Sequence, residues 1–440
     1  MTAFLQRLTN ARRDELIPIL LAVLYFFFIL SALMVLRPAR EALGIQRGID
    51  AVRWLFMATL VVTLFVNPVF GALVSRFSRI VFIAMTNLFF AANLLLFYGL
   101  LVLTPQAVSE TTGLVFYVWM SVFNLFITMV FWALMADRFT FEQSKRLFGL
   151  IAVGGTLGAI FGSWMAASFA ERVGTPTLMI FAVVFLVAAT AAAWGITRTT
   201  PEQQPAGGPG APNAIPLPGQ RNIIGGSALE GLKAVFRSRY LFGIAMYVLI
   251  LAVLVTFVYF TRLQMVAELG EGLDMRTGVF ARIDLATQIA TLVLQAIVAG
   301  HIMRRLGVPV ALALLPFIVA AGFIGLAMVG TLAALVVFDA VFRAVQRAIM
   351  RPARETLFTV VSREDKYKSK AFIDTFGYRT GDATGNWTEK FLGMLGLGLV
   401  GLAVFAVPLT LVWAGLGVWL GRTQRRMAAD EADRLDVAAD

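Results

Sequence analysis

Asp339, Arg343, Arg347 and Arg351 recur at intervals of four within one apolar stretch of the chain. On a helix such spacing places all four on one face. Asp339 can pair with Arg343, which leaves Arg347 and Arg351, with Gln346 beside them, unneutralised locally. A guanidinium presents a planar fork that fits a carboxylate or a phosphate. The chemistry on offer is the holding of an anion. No recognisable nucleophile–base pair accompanies the stripe, so no catalytic residue is assigned.

Other ionisable groups lie within or at the ends of apolar stretches. Arg37-Pro38-Ala39-Arg40-Glu41 closes the first, where Arg37 and Glu41 can pair and Arg40 is left over. Arg262, the pair Arg282/Asp284, and Arg379 between Asp374 and Asp382 complete the set. Arginine outnumbers acid in these groups. A charge at the centre of a bilayer costs a few kcal/mol, about 2.5–3.5 on insertion scales, so such groups usually face a wet interior. An arginine excess there favours an anionic substrate, cradled by Arg37, Arg40, Arg262, Arg343, Gln346, Arg347 and Arg351. The competing reading is that the charges pair and tie the fold together, with Glu41, Arg282/Asp284 and Asp374/Arg379 the structural pairs. If protons are coupled, Asp339, Asp284 and Asp382 are better carriers than His301, the single histidine.

The surrounding elements must cross a membrane. Of 440 residues, 59% are hydrophobic and 14% charged, against about 25% charged in soluble domains. Thirty-seven Phe and few alternating segments argue for helices over a barrel. Spans are expected at 16–36, 53–74, 80–103, 112–136, 147–170 and 176–196, then at 239–261, 277–299, 309–329, 331–350, 370–393 and 397–421. The eleventh carries Asp374, Arg379, Asp382, Asn386, Glu389 and Lys390, and hydropathy alone would miss it. The first reads as a retained helix, since no small-x-small cleavage site follows it. Trp119, Trp132, Trp164 and Trp387 read as interfacial anchors. The chain has no cysteine, which excludes disulfide and thiol chemistry, and no metal site or cofactor is expected.

Residues 200–227 hold repeated Pro and Gly and read as a flexible linker. The expected divisions are a six-helix bundle at 1–197, a cytoplasmic linker at 198–236, a second bundle at 237–422 and a tail at 423–440. The net charge of +11 fits basic loops on one side of a membrane better than binding of nucleic acid. Arg76/Arg79, Arg138/Lys145/Arg146, Lys233/Arg237/Arg239, Arg304/Arg305, Arg363/Lys366/Lys368/Lys370 and Arg422/Arg425/Arg426 fall on that side, which places both termini in the cytoplasm. Arg40, Arg47 and Arg53 conflict with the rule by falling opposite.

The halves repeat. Lys145, Gly154, Gly158, Gly162 and Trp164 match Lys368, Gly377, Gly381, Gly385 and Trp387 at one constant offset. Gly71 and Arg76 match Gly300 and Arg305, and Arg37 and Arg262 each end the first span of a half. Parallel repeats of this kind are common in secondary transporters. The glycine runs lack the Gly-Lys-Ser/Thr ending of a phosphate loop and read as close helix packing.

Two six-helix halves, a central linker and the Gly71–Arg79 turn resemble the major facilitator superfamily. Phe131-Trp132, Ala136-Asp137, Thr140 and Gln143-Ser144-Lys145-Arg146 resemble the signature after the fourth helix of the non-mitochondrial ATP/ADP antiporter family. Arg351-Pro352-Ala353-Arg354-Glu355 through Lys368, Lys370, Ala371 and Asp374 resembles its second-half signature. That family exchanges nucleoside phosphates. The resemblance implies that Arg351, Arg354, Lys145, Arg146 and Lys368 lie along or near the substrate path, which adds Arg354 to the expected substrate-binding set; Arg379, singled out by its charge, is expected on the path or at a gate. It also implies that the first, fourth, seventh and tenth helices line the cavity. The established exchangers have Glu-Pro-Thr-Lys-Glu where this chain has Arg351 to Glu355, and Asn where Asp137 stands.

The expectation is an all-α, multi-pass transporter of the bacterial inner membrane, with about twelve spans, monomeric and working by alternating access. Its substrate would be an organic anion, first a nucleotide or another phosphorylated metabolite. Three rivals make different demands. A proton-coupled exporter of amphiphiles needs fully paired arginines and an apolar cavity. A lipid-handling protein or membrane enzyme needs an acid–base group or a lateral opening. A scaffold tolerates loss of the arginine stripe.

Overall fold

Inside a bilayer each backbone N–H and C=O must be satisfied within its own segment, so long apolar runs fold as helices. The computed structural model describes residues 15–74, 79–200, 228–270, 272–297 and 307–439, and every regular element among them is helical. The helices are α1 (Leu16–Gly44), α2 (Ile49–Val74), α3 (Arg79–Leu103), α4 (Gln106–Arg138), α5 (Phe141–Val173) and α6 (Thr177–Thr199). After the linker come α7 (Ala228–Arg237), α8 (Arg239–Ala267), α9 (Leu273–Ile297), α10 (Gly307–Val329) and α11 (Leu332–Val345). The chain ends with α12 (Arg351–Thr356), α13 (Arg363–Phe372), α14 (Tyr378–Met394) and α15 (Gly398–Ala439). A π turn at Gln346–Met350 joins α11 to α12, and another at Ile373–Gly377 joins α13 to α14. Nine helices among the described residues are long and apolar enough to cross a membrane by composition. The charged α13–α14 run is not one of them. The chain is an all-helical membrane protein of about twelve spans.

Two compact units emerge: Met1–Asn222 with Leu269–Leu285, and Ile223–Glu268 with Ala286–Asp440. The sequence divisions assign the whole eighth span to the second bundle, yet Leu273 and Ala281 of α9 pack in the core of the first unit. Part of the expected linker, Ala228–Arg237, is helical, and α15 runs on through most of the expected tail. Residues 201–227, Arg76, His301, Arg304 and Arg305 lie outside the described residues.

In the first unit α1 is central, packed by α4, α5 and α6, with Tyr25, Ile29, Phe123 and Phe131 fully buried. In the second, α8 takes the matching place against α14 and α15. The pairing of α3 with α6 likewise recurs as α10 with α15.

The repeated glycines explain these contacts. A Cβ at Gly154 would stand 2.5 Å from the Val23 carbonyl oxygen, and Gly158 and Gly162 press as tightly on the carbonyls of Phe27 and Ser31. In the second unit a Cβ at Gly381 would stand 2.6 Å from the Leu249 oxygen, and one at Gly385 2.9 Å from the Val253 oxygen. Only glycine lets the backbones come this close, the small-residue device by which membrane helices gain packing without a hydrophobic drive. Ser31 Oγ donates to the Gly158 carbonyl at 3.1 Å, and Thr256 Oγ1 to Asp382 Oδ1 at 3.4 Å. Thr256 follows Ser31 by 225 residues, the same offset as Arg262 from Arg37.

The start of α5 is fixed by a reciprocal cap. Thr140 Oγ1 accepts from the Gln143 N–H at 3.1 Å, and Gln143 Oε1 accepts from the Thr140 N–H at 2.9 Å. Thr140→Ala is expected to cost about 1 kcal/mol, read as a lowered thermal midpoint of the purified protein. An unchanged midpoint would show the cap to be idle.

Two of the tryptophans expected at the interface are engaged inside the first unit. Trp119 packs among Phe90, Phe97, Phe116 and Phe123, and Trp132 among Phe26, Phe131 and Phe148. Trp164 and Trp387 are about half exposed.

Candidate functional site

In the second unit, α8 brings Arg262 into the interior, where 1% of it is exposed. It meets Asp339, also 1% exposed, at 3.8 Å. The i,i+4 spacing on α11 lets Arg343 grip the same carboxylate with both arms, Nε to Oδ1 and Nη2 to Oδ2, each at 2.7 Å. Asp339 is thus shared by two buried guanidinium groups, as the stripe predicts for Arg343 and does not predict for Arg262.

Beyond Arg343 the helix widens. The Arg351 N–H bonds to the Gln346 carbonyl, the i→i+5 bond of a π turn. Pro352 gives the physical reason: it has no N–H to donate and its ring crowds the carbonyl four residues back. The wide turn also realigns the stripe. Four residues overshoot one α turn by about 40°, whereas a π turn holds more than four and drifts the other way, so Arg347 and Arg351 stay near one face. Arg347 Nη1 donates to Gln288 Oε1 of α9 at 2.9 Å. Gln346, half-buried, opens the turn.

The next turn carries a second cluster. Arg354, mostly buried, lies 3.3 Å from Glu355 and 3.5 Å from Asp374, and Lys370 Nζ lies 2.5 Å from Glu355. Arg379 pairs with Asp382 at 3.6 Å, not with Asp374 as the sequence suggested. Arg351 is exposed, and no ion pair holds it among the described residues. Arg351, Arg354 and Arg379 all lie within electrostatic reach of Tyr378. Among the described residues these two clusters bring Arg262, Arg343, Arg347, Arg351, Arg354, Arg379 and Lys370 together with Asp339, Glu355, Asp374 and Asp382.

Glu355 lies in the segment between the tenth and eleventh spans. Burial raises its pKa, but the hydrogen bonds and charges of Lys370 and Arg354 outweigh burial and leave it below the ordinary value. A depressed carboxylate stabilises the fold above its unfolded pKa, and the gain disappears as pH falls through the folded one. Glu355→Gln is therefore expected to lower the thermal midpoint at neutral pH and to converge with the wild type on acidification. A gap independent of pH would contradict this.

In the first unit the arginines are more fully engaged. Arg40 does not stand apart: it bonds Glu41 at 2.9 Å, the Tyr117 carbonyl at 3.2 Å and Ser121 at 3.3 Å, and stacks 3.7 Å above the Tyr117 ring. Arg37 pairs instead with Asp284 of α9 at 3.6 Å, and Arg282 turns to Glu171 at 2.5 Å. Arg146 pairs with Glu15 at 3.0 Å. The side chains of Lys145 and Lys368 lie outside the described residues. The positive residues that broke the loop-charge rule are answered locally: Arg47 bonds Glu110 and Thr111, and Arg53 pairs with Asp50.

Sequence reading missed Gln288, Tyr378 and the part-buried pair Gln264–Glu389, in which the amide donates to the carboxylate. A signal for Gln288 existed: Asp284, Gln288 and Thr291 recur every three to four residues within an apolar span. The first unit also holds an apolar cavity of about 790 Å³, lined by Leu55, Val62, Met85, Phe89, Val115 and Trp119 among others, with no charged side chain. Nothing in its lining would hold an anion.

The fold has solved relatives. The chain is similar to a mutant form of the nucleoside transporter NupG, at 14% identity over 93% of this chain and 99% of that one, with a TM-score of 0.58. It is similar to a bacterial homolog of the human lysosomal transporter Spinster, in an inward-facing and unoccupied conformation (13%, 95% and 99%, TM-score 0.60). It is similar to an autoinhibited POT family peptide transporter (11%, 94% and 96%, TM-score 0.60). At such identities the likeness concerns the fold alone. No curated protein matches the chain in sequence. The profile of the Major Facilitator Superfamily matches residues 8–353. With that match over most of its length, the chain belongs to the Major Facilitator Superfamily and is a multi-pass membrane transporter.

Proposed function

We propose that the protein transports organic anions by alternating access, with nucleotides and other phosphorylated metabolites first among them. The observation that carries this reading is Arg351, which is exposed and held by no ion pair among the described residues, on the stripe that Arg343 and Arg347 share and near Arg354 and Arg379 around Tyr378. Arginine forks are matched to phosphate and carboxylate oxygens. The resemblance of the Arg351–Asp374 segment to the second-half signature of the ATP/ADP antiporters supports a nucleotide. We place the protein in a bacterial inner membrane, as a monomer with both termini cytoplasmic, on the distribution of basic loops.

The amphiphile-exporter reading draws on different features. The arginines of the first unit are paired, and the cavity of about 790 Å³ there is apolar. Ligand-induced stabilisation of the purified protein separates the two readings. ATP, ADP, a sugar phosphate and a dicarboxylate are tested against an uncharged amphiphile. A ligand at a hundred times its Kd adds about 2.7 kcal/mol. Stabilisation by phosphorylated anions, lost in Arg347→Gln and Arg351→Gln, is the expected result. Stabilisation by the amphiphile alone would overturn the anion reading.

A further inference from the structure

Basic side chains gather at one end of the second unit. Lys233 and Arg237 lie on α7, Arg239 opens α8, and Arg422 and Arg426 follow the apolar part of α15. All of them are exposed, and no ion pair or hydrogen bond holds any of them among the described residues. Helix packing brings them to one level. A Cβ at Gly417 would stand 3.1 Å from the Tyr247 ring, and one at Gly243 2.5 Å from the Trp419 ring and 3.2 Å from Leu420. The two helices therefore run antiparallel, and Arg239 falls level with the turn between Arg422 and Arg426.

Exposed aromatic rings border the same end. Phe236 is 68% exposed, Phe242 41% and Trp419 42%. The rings of Phe236 and Phe242 lie 5.6 Å apart, and Trp419 crosses Gly243, the residue after Phe242. Ser238 is extended and caps α8, accepting from the Leu241 N–H at 3.3 Å, so α7 ends there as a separate helix. It packs on α13 and buries Val235 while Phe236 points outward. Aromatic bodies beside basic heads suit the headgroup layer of a bilayer, where rings enter the acyl boundary and cations meet phosphate.

We infer that this end of the second unit binds an anionic phospholipid. Its phosphate meets Lys233, Arg237, Arg239, Arg422 and Arg426, and its acyl chains run along Phe236, Phe242 and Trp419. The uncompensated cations call for an anion, and the rings, continuous with the apolar spans of α8 and α15, call for one that carries hydrocarbon. A free anion would use the cations and leave the rings uncovered. None of these residues belongs to the arginine stripe, so the assignment stands apart from the anion-transport reading.

The experiment measures the thermal midpoint of the purified full chain in detergent with added phosphatidylglycerol, phosphatidylcholine or inorganic phosphate. Phosphatidylglycerol should raise the midpoint more than phosphatidylcholine does, and high salt should weaken the effect. Lys233→Gln, Arg237→Gln and Arg239→Gln together should raise the phosphatidylglycerol concentration for half effect on the order of a hundredfold, at about fivefold per side chain. Arg237→Lys with Arg239→Lys should keep the response, and Phe236→Ser should weaken it with every charge in place. Equal stabilisation of wild type by the two lipids, or an effect that high salt leaves unchanged, overturns the inference without any variant. So does an undiminished response in the folded triple variant. Stabilisation by inorganic phosphate that the triple variant loses would make this a free-anion site and overturn the lipid assignment.

Discussion

Asp339→Ala is expected to destabilise the second unit by about 3–5 kcal/mol, the usual cost of removing one partner from a buried ionic group. The carboxylate accepts from Arg343 Nε, lies 2.7 Å from Arg343 Nη2 as an ion pair and stands 3.8 Å from Arg262, all in the interior. Without it, two guanidinium groups lose the anion they share. The cost is one of desolvated, uncompensated charge, so removing one of those charges should recover part of it. Asp339→Ala with Arg343→Met is predicted to be more stable than Asp339→Ala alone, because a buried ion pair replaced by apolar side chains is often neutral. Thermal unfolding followed by tryptophan fluorescence would show the order wild type, double variant, single variant. A single variant as stable as wild type would mean that water reaches the cluster and screens it.

Gly158→Ala is expected to damage the first unit far more than its one added carbon suggests. The new Cβ would fall within the van der Waals envelope of the Phe27 carbonyl, a backbone atom that cannot swing aside. Overpacking costs about 1–3 kcal/mol and occasionally more, and a backbone-to-backbone contact belongs at the upper end. Gly149 offers the control on the same helix. A Cβ there meets nothing within 4 Å, so Gly149→Ala should gain up to about 1 kcal/mol from helix propensity. Gly381→Ala, where the Cβ would stand 2.6 Å from both Ala252 and the Leu249 carbonyl, should repeat the loss in the second unit, and Gly393→Ala should not. Equal midpoints for Gly158→Ala and Gly149→Ala would refute the close-packing account of the repeat.

The glycine repeat was legible because its physical cause is local and periodic. Helices that touch through their backbones need a small residue at each turn, and the same need in both halves leaves the same marks. Helix ends were less legible. Hydropathy places the end of the first span at residue 36, while α1 continues to Gly44. Hydropathy marks where hydrocarbon stops, whereas a helix stops where its backbone does, and Arg37 to Glu41 are compatible with both. Pairing was the least legible part of the site. An i,i+4 pair on a helix is worth only about 0.2–0.5 kcal/mol, so a partner from another helix readily displaces it. Arg37 leaves its i,i+4 neighbour Glu41 for Asp284. Arg282 and Asp284, two apart, and Asp374 and Arg379, five apart, do not face each other on a helix. Arg282 goes to Glu171, while Arg354 takes Asp374. Arg343 and Asp339 keep the predicted pairing because both arms of the fork fit one buried carboxylate. The π turn before Pro352 was not foreseen in the sequence reading, which took 331–350 as one plain span.

The most direct test of anion transport is uptake of labelled ATP into proteoliposomes preloaded with ADP or left empty, by wild type and by Arg347→Glu of matched thermal midpoint. The account predicts uptake by wild type that depends on an internal anion and is abolished by the charge reversal. Equal uptake by the two proteins would take the arginine stripe out of the substrate site. No uptake of any anion by folded, inserted wild type would contradict anion transport itself.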